Sequence, residues 1–574
     1  VFPPSISAQA FAAFGLLSLS ACVSGLTKPD PPVASHVFYT VTAEIALSRN
    51  EARVAALEYS AAAATDTDVN LLRRAAEVTA QCLQPSLTAG VAARWIALDP
   101  AATDAHRAAA RAALELYKID QSAAEYRVVL KSSPRGSDAE FAGLETELEA
   151  AANVYGARQL ADRLAAYFPT SPAALRLQAF AALRADDPAA AVPTFEAALS
   201  AAGAPGSPAA DAADAADAAR RRELTQGLWR ARILAGDEGE PLAQAKDLLE
   251  RDKSAEHRWD YTLLLLAAQQ NSAAREELSL LTRDPEARPA ALRLLGMMDF
   301  QDGKLDDAGV RFAELTTSDK YLDAAFYYLG MIAERHKDWE RALRLYAQVQ
   351  GGDNAVAAVL RAAAILRSHG AAPAAEELLE QLLAEEPQRA PEILVARAHI
   401  YADGGDAPLA IALLDQSLRE YPDSVELHYA RASFSEEHGR LAAALLELKA
   451  VAAQRPADPA ALNAYGYTLA DNHRRLGMAR KLIERAHAAA PLSAAILDSL
   501  GWVLFRQGHG DQALQYLTAA YEDEHDGDVA AHLGEVLWQL GRRSDAERVW
   551  SEATRAGAEN PLVNATRLRL GASH

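Results

Sequence analysis

From residue 37 onward apolar residues recur at helical spacing, and the pattern is interrupted every dozen or so residues. That period predicts a chain of short amphipathic helices and an all-α fold. The small residue that heads each second helix forms a ladder: Ala274, Ala308, Ala342, Ala375, Ala410, Ala444, Ala479, Ala513 and Ala546, at steps of 33 to 35 residues. Upstream the ladder continues through Ala55, Ala89, Ala123, Ala157 and Ala191, at steps of 34.

Other positions hold the same register, each for a physical reason. Five residues before the alanine stand Gly303, Gly370, Gly405, Gly439, Gly508 and Gly541, where the chain leaves one helix and turns into the next. Twelve residues after the alanine stand Pro169, Pro387, Pro422, Pro456 and Pro491, each stopping a helix before the next unit starts. Gly296, Gly330 and Gly501, in "LLG", "YLG" and "SLG", lack a side chain where two helices pack closely. Four residues after the alanine, Tyr59, Phe195, Phe312, Tyr346 and Trp550 fill the space between helices.

A helix-turn-helix unit of about 34 residues with these marks resembles the tetratricopeptide repeat. The resemblance implies a right-handed superhelical solenoid of about fifteen helix pairs. Its marks are dense from 274 to 556 and sparse upstream. One break falls between Ala191 and Ala274, where "AAGAPGSPAADAADAADAA" (201–219) reads as a low-complexity acidic insertion, either a solvated linker or a lengthened helix. The expected organisation is a signal peptide over 1–22, a tether over 23–35, degenerate repeats over 36–200 and the insertion over 201–222. Repeats then cover 223–558, beginning with a degenerate pair at about 223–251, and a capping helix and tail occupy 559–574.

The N-terminus changes the picture from a free solenoid to an attached one. Residues 9–21, "QAFAAFGLLSLSA", have the length of a secretory h-region and are too short to span a bilayer. The following "LSAC" resembles the lipobox of bacterial lipoproteins, which makes Cys22 the expected acyl acceptor. No Lys or Arg precedes Lys28, so the usual basic n-region is missing, as expected if the true start lies upstream. Residues 23–35, with their Pro, Gly and Ser, would reach on the order of 40 Å when extended. Val23 is not the aspartate associated with inner-membrane retention, so the family rule points to the outer membrane. Cys82, the other of two cysteines, reads as a small apolar residue on a helix.

The net charge of the 574-residue chain is −21, with no block of Lys or Arg, which argues against sequence-independent nucleic-acid binding. No metal-protease helix, nucleophile elbow or dinucleotide loop occurs. "GMMDFQDGKL" has the Gly-Lys pair of a phosphate loop at the wrong spacing, with Leu305 where a hydroxyl is needed. "EDEHDGD" (522–528), aligned as a calcium loop, puts Leu533 where a bidentate glutamate is required, and so reads as an inter-repeat loop. The expectation is a non-enzyme without cofactor or metal. A solenoid acts by holding partners on its concave face. In the tetratricopeptide register the residue after the Leu-Gly pair faces that groove, giving Met297, Met331, Tyr467, Trp502 and Glu535. Neighbouring positions add Arg293, Tyr327, Arg335, Asn463, Asp498 and Arg506. Met and aromatic side chains there suit adaptable contact with polypeptides. The competing reading packs them against an adjacent helix.

The lipobox, the tether and the stretches 37–80 and 93–110 together resemble proteobacterial outer-membrane tetratricopeptide lipoproteins that partner a periplasmic carboxyl-terminal processing protease. The resemblance implies an adaptor, facing the periplasm, that binds the protease and its substrates, chiefly peptidoglycan hydrolases. The alternative class is a scaffold lipoprotein for an envelope machine, such as a pilus secretin or a polysaccharide export assembly.

Overall fold

The computed structural model describes residues 36–133, 136–151, 153–202, 211–352, 354–523, 526–556 and 560–572. Cys22, the expected signal peptide and the tether lie outside the described residues. From His36–Ser48 to Pro561–Leu570 the described chain forms 31 α-helices and one 3₁₀ turn, Pro387–Arg389. That is fifteen pairs and a cap, and the fold is an all-α solenoid of the tetratricopeptide kind.

The sequence marks do the work expected of them. The ladder alanines are buried between the two helices of a pair, save Ala89, whose place is taken one residue earlier by buried Thr88. Tyr59, Phe195, Phe312, Tyr346 and Trp550 are among the most enclosed side chains of the core. A Cβ on Gly296 would lie 2.8 Å from the Phe312 ring, one on Gly330 2.5 Å from Tyr346, and one on Gly501 2.6 Å from Leu517. All are closer than van der Waals contact allows, so only glycine lets these helices meet. The six turn glycines 303, 370, 405, 439, 508 and 541 all have left-handed φ, between 74° and 86°. At Ser171, Asp187, Ser424, Asp458 and Asn560 the side chain that precedes the helix accepts a backbone N–H of the first turn. Asp526, in the acidic loop, does the same for Gly527–Gln539.

The same left-handed turn recurs upstream without glycine, at Asn50, Leu83, Tyr117, Asp186 and Gln269, and later at Lys337 and His473, with φ of 52° to 59°. Each costs roughly 1–2 kcal/mol relative to a relaxed backbone, which the packed pair on either side must outweigh. Of the insertion, residues 203–210 lie outside the described residues. A single helix runs Asp211–Leu234, so the boundary drawn at 222/223 falls inside it. Its first half is an alanine-rich run of high helix propensity, and the lengthened-helix reading fits these residues.

Successive first helices of the pairs pack closely against one another along most of the array. Second helices do so at only two described places, Ala52–Thr65 with Pro85–Leu98 and Ile119–Ser132 with Val154–Tyr167. A stack whose first helices are crowded and whose second helices are spread curves with the first helices inside. The curve returns on itself. The backbone N–H of Arg53 donates to Glu420 Oε1 at 2.9 Å, and Ser86 donates from its N–H and hydroxyl to the Asp423 carboxylate at 3.1 and 2.9 Å. Gln84, itself buried, donates to the Glu420 carbonyl at 2.8 Å, and Gln388 donates to the Gln81 carbonyl at 3.1 Å. Farther along the same seam Tyr155 packs on the continuous apolar cluster of the last repeats. The superhelix is therefore a closed turn, sealed by hydrogen bonds between 53–86 and 388–423 and by Tyr155 on the apolar cluster of the last repeats.

Candidate partner-binding surface

All eleven groove residues expected from the sequence lie on first helices, but the array treats them in two ways. On Arg288–Gln301 and Leu322–Arg335 they form a half-open surface. Met297 and Met331 rest their inner ends on the clusters around Phe312 and Tyr346. Tyr327 meets Tyr328 edge-on at 5.5 Å. The Arg293 guanidinium lies 4.8 Å from the Tyr321 ring, and its Nε is buried without a hydrogen-bond partner. Arg335 is exposed, 5.6 Å from the Phe300 ring. Met297, Tyr327 and Met331 rest apolar bodies on the core and keep accessible edges, and Arg335 adds an exposed cation, a combination suited to polypeptide contact.

In the last repeats the groove is partly closed: Asn463, Tyr467 and Arg506 stay half-buried while three other positions are covered. Trp502 is 2 % exposed, and Asp498 and Glu535 are buried with it. The ring of His532 stacks on Trp502 with centroids 4.0 Å apart, and His532 Nδ1 meets the Asp498 carboxylate at 2.9 Å. Trp502 donates from Nε1 to Asp471 at 3.0 Å, and Arg506, 4.2 Å from the Trp502 ring, approaches the same carboxylate at 3.3 Å. Tyr467 O–H lies 3.5 Å from His532 Nε2, and Glu535 takes both guanidinium nitrogens of Arg569 from the cap helix, at 2.8 and 2.5 Å. Asn463 is half-buried and its Oδ1 has no hydrogen-bond partner. Burial opposes charge on His532, but Asp498, backed by Asp471 and Glu535, outweighs it and holds the imidazole above the ordinary histidine range. The reading of Asp498, Trp502 and Glu535 as groove residues is thus corrected: they tie neighbouring first helices together. The physical reason is that side chains from the neighbouring first helices and the cap helix, His532, Asp471 and Arg569, cover these positions.

The register also missed a site. A cleft of about 720 Å³ opens on the inner side between Ser137–Ala150, Pro172–Arg184, Asp211–Leu234 and Ala255–Ala267. Leu148, Leu177, Phe180, Leu263 and Leu264 form its floor, with Glu145, Glu149, Glu223, Asp260 and Arg230 around it. It lies where a pair is splayed: Val154–Tyr167 leans on Ile119–Ser132, while Ser137–Ala150 packs on Pro172–Arg184. Arg184 holds the break by donating to the carbonyls of Leu148 and Ala151 at 2.7 and 2.6 Å. Burial, with Glu223 and Glu149 nearby, pushes the Glu145 carboxyl up against the pull of Arg176. The one clue in the sequence is Gly227, whose missing Cβ leaves room for Phe195 at 2.5 Å.

Cys82 is buried at the end of Val69–Gln81, and its thiol is pushed up to about 11 by burial and by Glu420 across the seam. Glu115 lies at the seam as well. Neighbouring protein, with Glu147 adding, pushes its carboxyl up to about 7 against the pull of Arg455 and Arg111, with a smaller upward push from Asp423, although the side chain keeps an exposed edge. A carboxyl raised in the folded chain contributes stability that is full below about 4.5, the value of an unperturbed glutamate, and is lost as pH rises through about 7. Resistance to denaturant is therefore expected to be lower at pH 8 than at pH 5, and Glu115→Gln should flatten that dependence.

Two stretches of the sequence, residues 366–434 and 504–570, match the tetratricopeptide repeat family model. Those two stretches are tetratricopeptide repeats. Over 214 residues, 37% of its length, it is 29% identical to the TPR repeat-containing protein PA4667 of Pseudomonas aeruginosa, and that match spans 36% of the relative. Among solved structures it is similar to yeast Tom70, at 12% identity over 93% of this chain and 99% of that one, with a TM-score of 0.36. It is also similar to the thermophilic TPR protein TTC0263 of Thermus thermophilus, at 21% identity over 32% of this chain and 98% of that one, with a TM-score of 0.28. Tetratricopeptide repeats suit protein-protein interaction, and the half-open surface on 288–335 and the cleft at 145–267 are two accessible surfaces among the described residues.

Proposed function

We propose that this chain is a membrane-anchored adaptor that binds a periplasmic carboxyl-terminal processing protease and presents protein substrates, such as peptidoglycan hydrolases, to it. The observation that carries the reading is the inner surface of the closed turn, where Arg293, Met297, Tyr327, Met331 and Arg335 offer apolar and cationic edges without a surrounding catalytic constellation among the described residues. The lipobox at Cys22 adds the anchor and the outer-membrane address. Two partners held on one anchored surface meet at raised effective concentration, which speeds proteolysis without chemistry by the adaptor.

The test is capture of the tagged chain from detergent-solubilised envelopes, followed by degradation of the captured hydrolase by the captured protease in vitro. Adaptor activity is expected to fall about tenfold in the double variant Met297→Ala, Arg335→Ala, with the thermal unfolding profile kept. Trp502 is unsuited to this test, because its removal would damage packing. Capture of secretion or export components without a protease would replace the adaptor by a scaffold.

A further inference from the structure

The two ends of the solenoid are finished differently. At the far end the cap helix Pro561–Leu570 ties itself down with charge, Arg567 to Glu547 and Arg569 to Glu535. At the near end, His36–Ser48 buries Ala43 and Ala46 against the next helix and turns Val37, Phe38, Val41 and Ile45 outward, each 46–59 % exposed. At 100° per residue these four positions fall within one stripe about 100° wide. Repeat arrays keep their outer end faces polar when those faces meet water. An apolar stripe of this width on an end helix calls for a cover, and a bilayer interface accepts an apolar helix face of this kind.

We infer that the helix His36–Ser48 docks its Val37–Phe38–Val41–Ile45 stripe into the surface of the lipid bilayer to which the chain is attached. The inference rests on the anchor reading of Cys22. Residues 23–35 number thirteen, so His36 stays within on the order of 40 Å of the acylated residue whatever path they take. The helix is the described element nearest Cys22 along the chain. The charge around the stripe is mixed, with Glu44 and Glu51 beside Arg49 and Arg53, so apolar insertion rather than attraction to anionic headgroups carries the contact. Docking would fix the tilt of the first repeats on the membrane.

The test uses the full-length lipidated chain in vesicles of phosphatidylethanolamine and phosphatidylglycerol. An environment-sensitive fluorophore is placed at Ile45→Cys in a Cys82→Ala background, and at Leu568→Cys as the far-end control, since Leu568 is strongly exposed. The label at 45 is expected to brighten several-fold and to be quenched by brominated lipid, while the label at 568 stays water-like. Adding Val37→Ser and Val41→Ser should remove most of the change at 45, with the thermal unfolding profile unaltered. A label at 45 that stays water-like on vesicles overturns the inference. So does a change that follows protein concentration in the absence of lipid, which would make a second copy the occupant. The mass of the purified chain reports acylation of Cys22 separately, so failure of the anchor is not confused with failure of the stripe.

Discussion

Trp550→Ala is expected to destabilise the last repeats by about 3–5 kcal/mol, the range for removing a fully buried aromatic side chain. Trp550 has no exposed surface and fills the notch left by Gly534, where a Cβ would come within 2.0 Å of its indole nitrogen. The repeats from Ala432 to Val563 share one continuous apolar cluster, so the cavity is felt along that whole stretch. A long repeat array does not unfold in a single step, and one melting temperature would blur the effect. Native-state hydrogen exchange on the helix Gly527–Gln539 reads it directly. Its opening free energy should fall by that amount, while helices near Ala55 keep theirs. A fall below about 1 kcal/mol would mean that the site collapses around the missing ring. Gly534→Ala should fail in the opposite sense, by overpacking, at a cost of about 1–3 kcal/mol.

The second large effect concerns shape. Gln84→Ala with Asp423→Ala removes most of the polar seam: the donor to the Glu420 carbonyl and the acceptor for both Ser86 groups. Each lost bond is worth about 1 kcal/mol net, and leaving a buried partner unsatisfied costs about 1–3 kcal/mol more. The repeats on either side keep their own cores, so the double variant should stay helical while the turn opens. Circular dichroism is expected to be unchanged and the radius of gyration to rise by several ångströms. An unchanged radius would show that the apolar contact of Tyr155 with the last repeats closes the turn alone.

Much of this architecture is legible in the sequence because its marks are local. The ladder alanine, the turn glycine and the Leu-Gly notch each answer to a neighbour within one repeat, so the sequence carries them at fixed spacing. Upstream the marks fade for a specific reason: Asn50, Leu83, Tyr117, Asp186 and Gln269 make the glycine turn at a cost in backbone energy, and Thr88 stands where the ladder expects Ala89. Groove positions were legible as helix faces but not as open or closed ones. Trp502 is buried because His532, thirty residues on, stacks on it, and Glu535 because the cap helix brings Arg569 back. Closure is silent in the sequence, since Gln84, Ser86 and Asp423 are ordinary surface residue types that meet across more than 300 positions. The cleft leaves only Gly227 as a mark in the sequence, because it comes from one splayed pair and not from a motif.

The closed turn is most directly tested by the distance across its seam. Spin labels at Gln81→Cys and Gln388→Cys, in a Cys82→Ala background with Cys22 acylated or replaced by serine, sit on residues that are in hydrogen-bond contact in the closed form. Closure predicts a narrow label separation of about 10–25 Å, the contact distance plus two label arms. Stacked without closure, the intervening pairs at about 8–10 Å per helix spacing would hold the labels roughly 70 Å or more apart. A short, narrow distribution supports the closed superhelix, and a long or broad one contradicts it.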